Sequence, residues 1–493
     1  MESEDNKLIK LKERLNDAIV VLPFGIVAKS LSPYQIPLEL GWKREHYQRG
    51  IVYTSSDGQE FSNHDSVYDY LVRTKSLLRC EQFMFNHDFN IKLRLAAERA
   101  KIVEEDVTGD EENLPIQVVN KYENSQEIDS NFEYNKDRVP GRAVNFNVDF
   151  KSCCDCEDNC VSNKCECRRL TNDAFINDVI NNPKKDKSFF GYDIAGRLPH
   201  IILTGIYECN SHCHCSATCS NKNVQNGIRV ILQVFMTKDR GWGVQCLHDL
   251  PSGSFVCLYN GEILTNEDAD SIGMSRGDEY LTDLRYIDIV EEKEGFEEVV
   301  QISDDDEFSS NDGSIGMVSQ GSIDFSALDD LGSESGTSNS EDERGSDISD
   351  SSTDILSGKK GRGIKRARPD AEASNSLSKR VKGDVNKLLP TNEHYVKVRK
   401  YMTLSDSSQS QPYVIDAKKK GNVGRFLNHS CKPNCYLSPV FVDTHDPRFP
   451  LVAFFTIRDI KAHTELTWDY SYSVGTEKFP TCKCKSANCR SKE

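Results

Sequence analysis

Ten cysteines crowd into residues 153–219, as CCDCEDNCVSNKCEC and, further on, CNSHCHCSATC, among few aliphatic side chains. A stretch so poor in apolar volume cannot close an ordinary core, so cross-links must compact it, either disulfides or metal thiolates. The chain opens MESEDNKLIKLKERLNDAIVVLPF, too charged for a secretory signal, and export is not expected. In a reducing compartment clustered thiols are more often metal ligands than disulfides. Cys154, Cys156, Cys160, Cys165 and Cys167 form one group, and Cys209, Cys213, Cys215 and Cys219 a second. Nine thiolates are one too many for two tetrahedral zinc ions. Three ions fit if six sulfurs are terminal and three bridge. His212 and His214 are then bystanders, because sulfur already closes the count. A disulfide knot is the alternative. A closed zinc cluster is structural, since it keeps no open position for catalysis.

A third group, Cys482, Cys484 and Cys489 in CKCKSANC, is one ligand short of tetrahedral. Cys431, in GRFLNHSCKPNC, is the candidate to complete it. A nucleophilic Cys431–His429 pair is the sharper chemical alternative, disfavoured because neighbouring side chains on a strand diverge. Cys80, Cys153, Cys246, Cys257 and Cys435 read as ordinary thiols.

The 493 residues suffice for about two to four domains. No apolar run approaches the roughly 18 residues of a membrane span, and no membrane partner is expected. Residues 291–358 hold twenty Asp and Glu against Lys293 and Arg344, a balance of −18, so the net charge of −17 leaves the remainder at +1. Residues 302–385 are Ser, Asp, Glu, Gly and Asn with few aromatics, a composition that cannot bury enough apolar surface to fold. On either side, GVQCLHDLPSGSFVCLYNGEIL, YVIDA and FPLVAFFTIRDIKAHTELTWDY alternate as strands. We expect one all-β catalytic unit carrying a long insertion. GIVYTSSDGQEFSNHDSVYDYLVR reads as strand, turn, strand, helix, a small α/β module.

Together these stretches resemble the SET-domain protein lysine methyltransferases. The nine-cysteine block resembles their pre-SET domain. RGWGV, YNGEIL, GDEYL, GRFLNHSCKPN and ELTWDY resemble the SET core, and CKCKSANC the post-SET segment. FVDTHDPRFPLVAFF, the acidic insertion and the module at 35–105 narrow the likeness to the bifurcated-SET histone H3 lysine-9 methyltransferases, which carry a methyl-CpG-binding-like domain. The resemblance implies a mostly β SET fold with a pseudoknot, preceded by a zinc-cluster pre-SET domain and a small α/β methyl-CpG-binding-like domain. The implied division is an N-terminal segment (1–34), the methyl-CpG-binding-like domain (35–105), pre-SET (152–227), the SET N-terminal half (228–290), a disordered acidic and basic insertion (291–410), the SET C-terminal half (411–476) and post-SET (477–493).

The resemblance further implies S-adenosyl-L-methionine as cofactor, three zinc ions in pre-SET and one in post-SET, and a histone H3 tail as substrate in the nucleus, on chromosomes. It assigns Tyr470 as the catalytic tyrosine and Tyr259 as a second hydroxyl toward the amine. Arg240, Gly241, Trp242 and Gly243 match the first cofactor-contacting segment, with Gly243 completing a turn. Asp278 and Tyr280 match the second, and Arg425, Asn428 and His429 the third. Trp468 stands where relatives carry the Phe or Tyr that tunes product multiplicity; lacking a hydroxyl, it fits di- or trimethylation. Two rival readings are a catalytically dead scaffold that binds tails or cofactor without turnover, and a DNA-binding chromatin reader whose SET unit is secondary.

The module at 35–105 departs from DNA-reading members at Ser62 and Ile51, where they carry Arg and Asp, and Ser cannot supply arginine's bidentate fork to guanine. Lys43 and Arg44 remain as candidate phosphate contacts. The roles rank as protein interaction, weak DNA binding, then methyl-CpG reading. Val299–Glu307, VVQISDDDE, resembles a SUMO-interacting motif, which would add a strand to SUMO's sheet edge. Lys359, Lys360, Lys365, Arg366, Arg368, Lys379, Arg380 and Lys382 read as a bipartite nuclear localisation signal, with a solvating basic patch as the alternative.

Overall fold

Short alternating runs become short strands. In Gly50–Thr54 the alternate residues Ile51 and Tyr53 are buried, as the two-residue side-chain period requires. The computed structural model describes residues 4–15, 19–95, 100–122, 127–142, 144, 146, 153–162, 164–172, 191–277, 279–284, 413–443, 445–446, 448–470, 482–487 and 489–491. All lie in one unit formed by residues 1–323 and 394–493. Asp278, Val299–Glu307 and the basic residues from Lys359 to Lys382 fall outside the described residues. Among the described residues no helix is long and apolar enough to cross a membrane.

Strands Lys43–Tyr47, Gly50–Thr54 and Glu60–Phe61 form an antiparallel sheet, followed by helix His64–Thr74. Asn63 caps that helix by accepting the Ser66 N–H at 2.9 Å, and Lys75, left-handed at φ 51°, ends it. Val67 and Leu71, one turn apart, are buried in a core with Trp42, Tyr53, Phe61 and Phe83. Arg44, a candidate phosphate contact, is engaged by backbone. Its guanidinium donates to the Met84 carbonyl at 3.1 Å and the Asn86 carbonyl at 3.2 Å, and only Lys43 of the two basic residues keeps an exposed side chain. The module docks on the following chain through Glu81, whose carboxylate is held by Arg229 at 2.7 Å and Arg79 at 3.4 Å.

Three further sheets carry the candidate site. One runs in the order Ile206–Tyr207, Cys435–Phe441, Leu451–Thr456, Phe255–Leu258. The second runs Asn428–His429, Glu465–Trp468, Trp242–Cys246, Leu232–Met236, Gln117–Asn120, Lys101–Glu104. The third runs Leu281–Asp283, Val414–Gly421, Gly261–Leu264, Val139–Pro140, with Glu133–Tyr134 also pairing on Val414–Gly421. One apolar core joins both sides of residues 285–412, including Val234, Ile263 and Leu284 before them and Ile415, Val423, Phe454 and Leu466 after. The stretch ahead of the cysteines is part of this architecture. Gln117–Asn120, Glu133–Tyr134 and Val139–Pro140 each add a parallel pairing to a strand far along the chain. Sequence reading assigned them no role, because parallel pairing is non-local and leaves no turn signature.

Candidate active site and metal centres

Strands Leu232–Met236 and Trp242–Cys246 are antiparallel neighbours, and Gly241 in the turn between them has φ +68°. That region costs glycine little. A Cβ at Gly241 would meet nothing within 4 Å, so its backbone borders open space where a ligand can approach. Gly243 has another reason to be glycine than the expected turn. It lies within the strand opposite Phe235, where a Cβ would stand 2.8 Å from Thr237 Cγ2 and 2.9 Å from Glu465 Oε1.

The register of Glu465–Trp468, antiparallel to Val244–Gln245 and parallel to Asn428–His429, brings the first and third predicted segments together. Asn428 Nδ2 donates to the Trp242 carbonyl and to Glu465 Oε1, each at 2.9 Å. Arg240 donates to the His429 carbonyl at 3.1 Å and pairs with the other Glu465 oxygen. Glu465 thus ties Arg240 to Asn428. Its one sequence signal was its place at the head of ELTWDY.

Aromatic rings line the adjoining space. Trp468 lies 4.8 Å from Tyr470, 5.5 Å from Phe454 and 6.1 Å from Tyr259, measured between ring centroids. The Tyr470 hydroxyl donates to the Leu427 carbonyl at 2.9 Å, which the Trp468 indole N–H also approaches at 3.3 Å. The Tyr259 hydroxyl donates to the Tyr280 carbonyl at 3.0 Å. Arg425 lies between the rings of Phe132 and Tyr280, at 4.4 and 4.5 Å, and donates to the Ala417 carbonyl at 2.9 Å. Phe132 was not foreseen, since it reaches the site from the unassigned stretch before the cysteines.

His429 is buried, and burial pushes its imidazole down to about 4 against the opposing pull of Asp469. Tyr470 N–H donates to Nδ1 at 3.2 Å, and Nε2 lies 3.3 Å from Cys431 Sγ. This corrects the expectation that the two side chains diverge. The strand ends at His429 and Cys431 lies in the bend that follows, so strand alternation does not set the direction of its side chain.

Cys431, Cys482, Cys484 and Cys489 bring their sulfurs within 4.8 Å of one another. Four overlapping sets within the nine-cysteine block do the same, and Cys154 and Cys209 each belong to three of them. None of the 18 cysteines forms a disulfide. Sulfur separations of 3.7 Å for Cys154–Cys160 and Cys431–Cys482, and 3.5 Å for Cys160–Cys209, suit a tetrahedral zinc, whose bonds of about 2.3 Å put sulfurs about 3.8 Å apart. His212 and His214 stand exposed, outside the sulfur groups.

The SET domain model matches residues 241–471 and the Pre-SET motif model residues 108–222. The histone-lysine N-methyltransferase SETDB2 of Xenopus tropicalis is 30% identical over 534 residues, covering 94% of this chain and 75% of that protein. The chain belongs to the bifurcated SET-domain histone-lysine N-methyltransferase family. A second member, the histone-lysine N-methyltransferase eggless of Drosophila pseudoobscura pseudoobscura, is 36% identical over 95% of this chain. The chain spans 36% of the length of that relative. The crystal structure of Arabidopsis thaliana SUVH6 in complex with SAM is similar over 80% of this chain and 57% of its own, at 25% identity and a TM-score of 0.45. The Pre-SET match starts ahead of the cysteine block and takes in the strands Gln117–Asn120, Glu133–Tyr134 and Val139–Pro140. The SET match runs across residues 285–412, as the shared core of this family member does.

Proposed function

We propose that the chain is an S-adenosylmethionine-dependent histone-lysine methyltransferase that di- or trimethylates lysine 9 of histone H3 and so promotes heterochromatin and transcriptional repression in the nucleus. One observation carries this reading: the hydroxyls of Tyr470 and Tyr259 both give their protons to backbone carbonyls beside a wall of aromatic rings. A phenol has one proton, so each oxygen is left with lone pairs that accept from an amine. A lysine amine entering between Tyr259, Phe454, Trp468 and Tyr470 is desolvated, which lowers its pKa from about 10.4 and favours the neutral nucleophile. The two hydroxyls then fix its direction, and alignment supplies much of the rate. S-adenosylmethionine, when bound, supplies a methyl group on a sulfonium. The open backbone at Gly241, with Arg240, Trp242, Asn428 and His429 beside it, would hold that group, and Arg425, Tyr280 and Asp278 fit the same role from the third and second segments.

Zinc fits the sulfur groups, three ions in the nine-cysteine block and one at Cys431, Cys482, Cys484 and Cys489, in structural roles. The module at 35–105 acts first as a protein-interaction surface. The engagement of Arg44 with backbone carbonyls supports ranking DNA contact below it. Val299–Glu307 would engage SUMO, and the basic clusters would direct nuclear import.

The test is transfer of a radiolabelled methyl group to H3 tail peptides, read by mass spectrometry. Label is expected on the native peptide up to the di- or trimethyl state and lost when lysine 9 is replaced by arginine. Tail binding without transfer would favour the scaffold reading instead.

A further inference from the structure

Two hydrogen bonds meet on His429. Tyr470 N–H reaches Nδ1 at 3.2 Å, and Nε2 lies 3.3 Å from Cys431 Sγ. An amide N–H can only donate, so Nδ1 is the acceptor and the ring proton sits on Nε2, facing sulfur. Asp469 Oδ1 is 3.6 Å from Nδ1. The backbone of His429 is fixed by pairing with Trp468 and by the Arg240 guanidinium on its carbonyl. The ring therefore spans the gap between one of the four C-terminal sulfurs and the amide of the tyrosine whose hydroxyl reaches Leu427.

We propose that His429 is a positioning residue that couples the Cys431, Cys482, Cys484 and Cys489 group to the placement of Tyr470. The inference rests on reading Tyr470 as the catalytic tyrosine. A metal-bound thiolate at Cys431 is a charged acceptor for Nε2–H, and that bond sets the tilt of the imidazole. The imidazole in turn anchors the Tyr470 amide. Without metal, Cys431 would no longer be held against Cys482, Cys484 and Cys489, so the imidazole would lose a fixed partner for Nε2. The His429 side chain thus links the metal group to the placement of the phenol.

A competing route leaves the same cysteine. Arg490 N–H donates to Cys431 Sγ at 3.4 Å, and the Arg490 guanidinium donates to Asp469 at 2.5 Å, next to Tyr470. The experiment must separate the two.

The full chain carries 3-fluorotyrosine at position 470, and its fluorine NMR signal is followed while Cys489→Ser disturbs the metal group without touching Cys431. The substitution is expected to move the signal in the otherwise native chain. His429→Asn keeps an acceptor near the Nδ1 position but cannot reach Cys431, whereas His429→Gln keeps a donor near Nε2 but loses the acceptor. In both backgrounds the response to Cys489→Ser should shrink at least about threefold, as a broken pairwise coupling requires. An undiminished response in both would overturn the proposal and favour the Arg490–Asp469 route; no response in the native background would overturn it outright. A second measurement needs no variant of His429. In the cadmium-113-loaded chain, scalar coupling between the metal and the His429 Nε2 proton is expected, and its absence refutes the bond. Neither readout depends on turnover, so coupling without methyl transfer would reject the catalytic reading of Tyr470 and leave the coupling standing.

Discussion

Leu284 donates its backbone N–H to the carbonyl of Tyr413 at 2.7 Å, although residues 285–412 lie between them. The ladder continues outward, Asp283 opposite Val414 and Leu281 opposite Asp416, so this insertion enters and leaves through one antiparallel pair.

Deleting residues 302–385 should therefore leave a folded, active chain. Loop closure changes by only about 0.6 kcal/mol per doubling of length, and shortening moves it in the favourable direction. Thermal melts and in vitro methylation check the fold; imaging of the tagged protein should show loss of nuclear retention, because both basic clusters are removed. Loss of the melting transition would mean that the segment packs on the rest of the chain.

Tyr470→Phe removes the hydroxyl that reaches Leu427 and little else. Turnover should fall on the order of 10²-fold, the scale of one oriented polar group in a transition state, while stability changes by about 1 kcal/mol. Single-turnover kinetics beside calorimetric cofactor binding separate these effects; unchanged turnover would remove Tyr470 from the reaction.

Gly241→Ala places a methyl group in open space at φ +68°. The left-handed backbone costs about 1–2 kcal/mol, so melting should drop slightly. S-adenosylmethionine affinity should fall much further, because the methyl occupies the face where the cofactor would approach. Equal affinity by calorimetry would move the cofactor away from this turn.

Elemental analysis should find about four zinc ions per chain, and about three in Cys431→Ser, since a tetrahedral site does not survive on three thiolates of this set. Methyl transfer should be lost with the metal. Retention of every ion in the variant would detach Cys431 from the C-terminal sulfurs.

His248 gives a pH signature. The ring is buried; Ile231 N–H donates to Nε2 at 3.2 Å, and Nδ1–H donates to the Asp249 carbonyl at 3.0 Å. Burial lowers its pKa from 6.5 to about 4. Below pH 6.5 the unfolded chain takes up a proton that the folded chain refuses until about pH 4. This residue therefore costs nothing above 6.5 and subtracts stability as pH falls toward 4, by up to about 1.4 kcal/mol per pH unit. Urea midpoints at pH 7 and pH 5 should differ less in His248→Gln than in the parent; an equal difference would mean that other groups govern the acid limb.

Much of the protein was legible because it is written in local spacing. The cysteine runs announced thiolate groups, since ligands two to five residues apart can close on one ion. The alternation in GIVYT announced a strand, since a two-residue period is a property of the strand itself. The composition of residues 302–385 set them apart from the flanking strands. The short motifs also named Tyr470, Tyr259, Gly241, Asn428 and His429 as a candidate site. What they could not carry was which atom meets which. That Tyr470 gives its proton to Leu427, that Glu465 ties Arg240 to Asn428, and that Phe132 comes to lie on Arg425 follow from sheet registers between strands remote in sequence. Gly243 is small because Thr237 and Glu465 crowd it, not because it turns, and Arg44 spends its donors on Met84 and Asn86. Spacing along the chain fixes what a residue can do locally, whereas its partner is chosen by long-range pairing and packing, which only the folded chain contains.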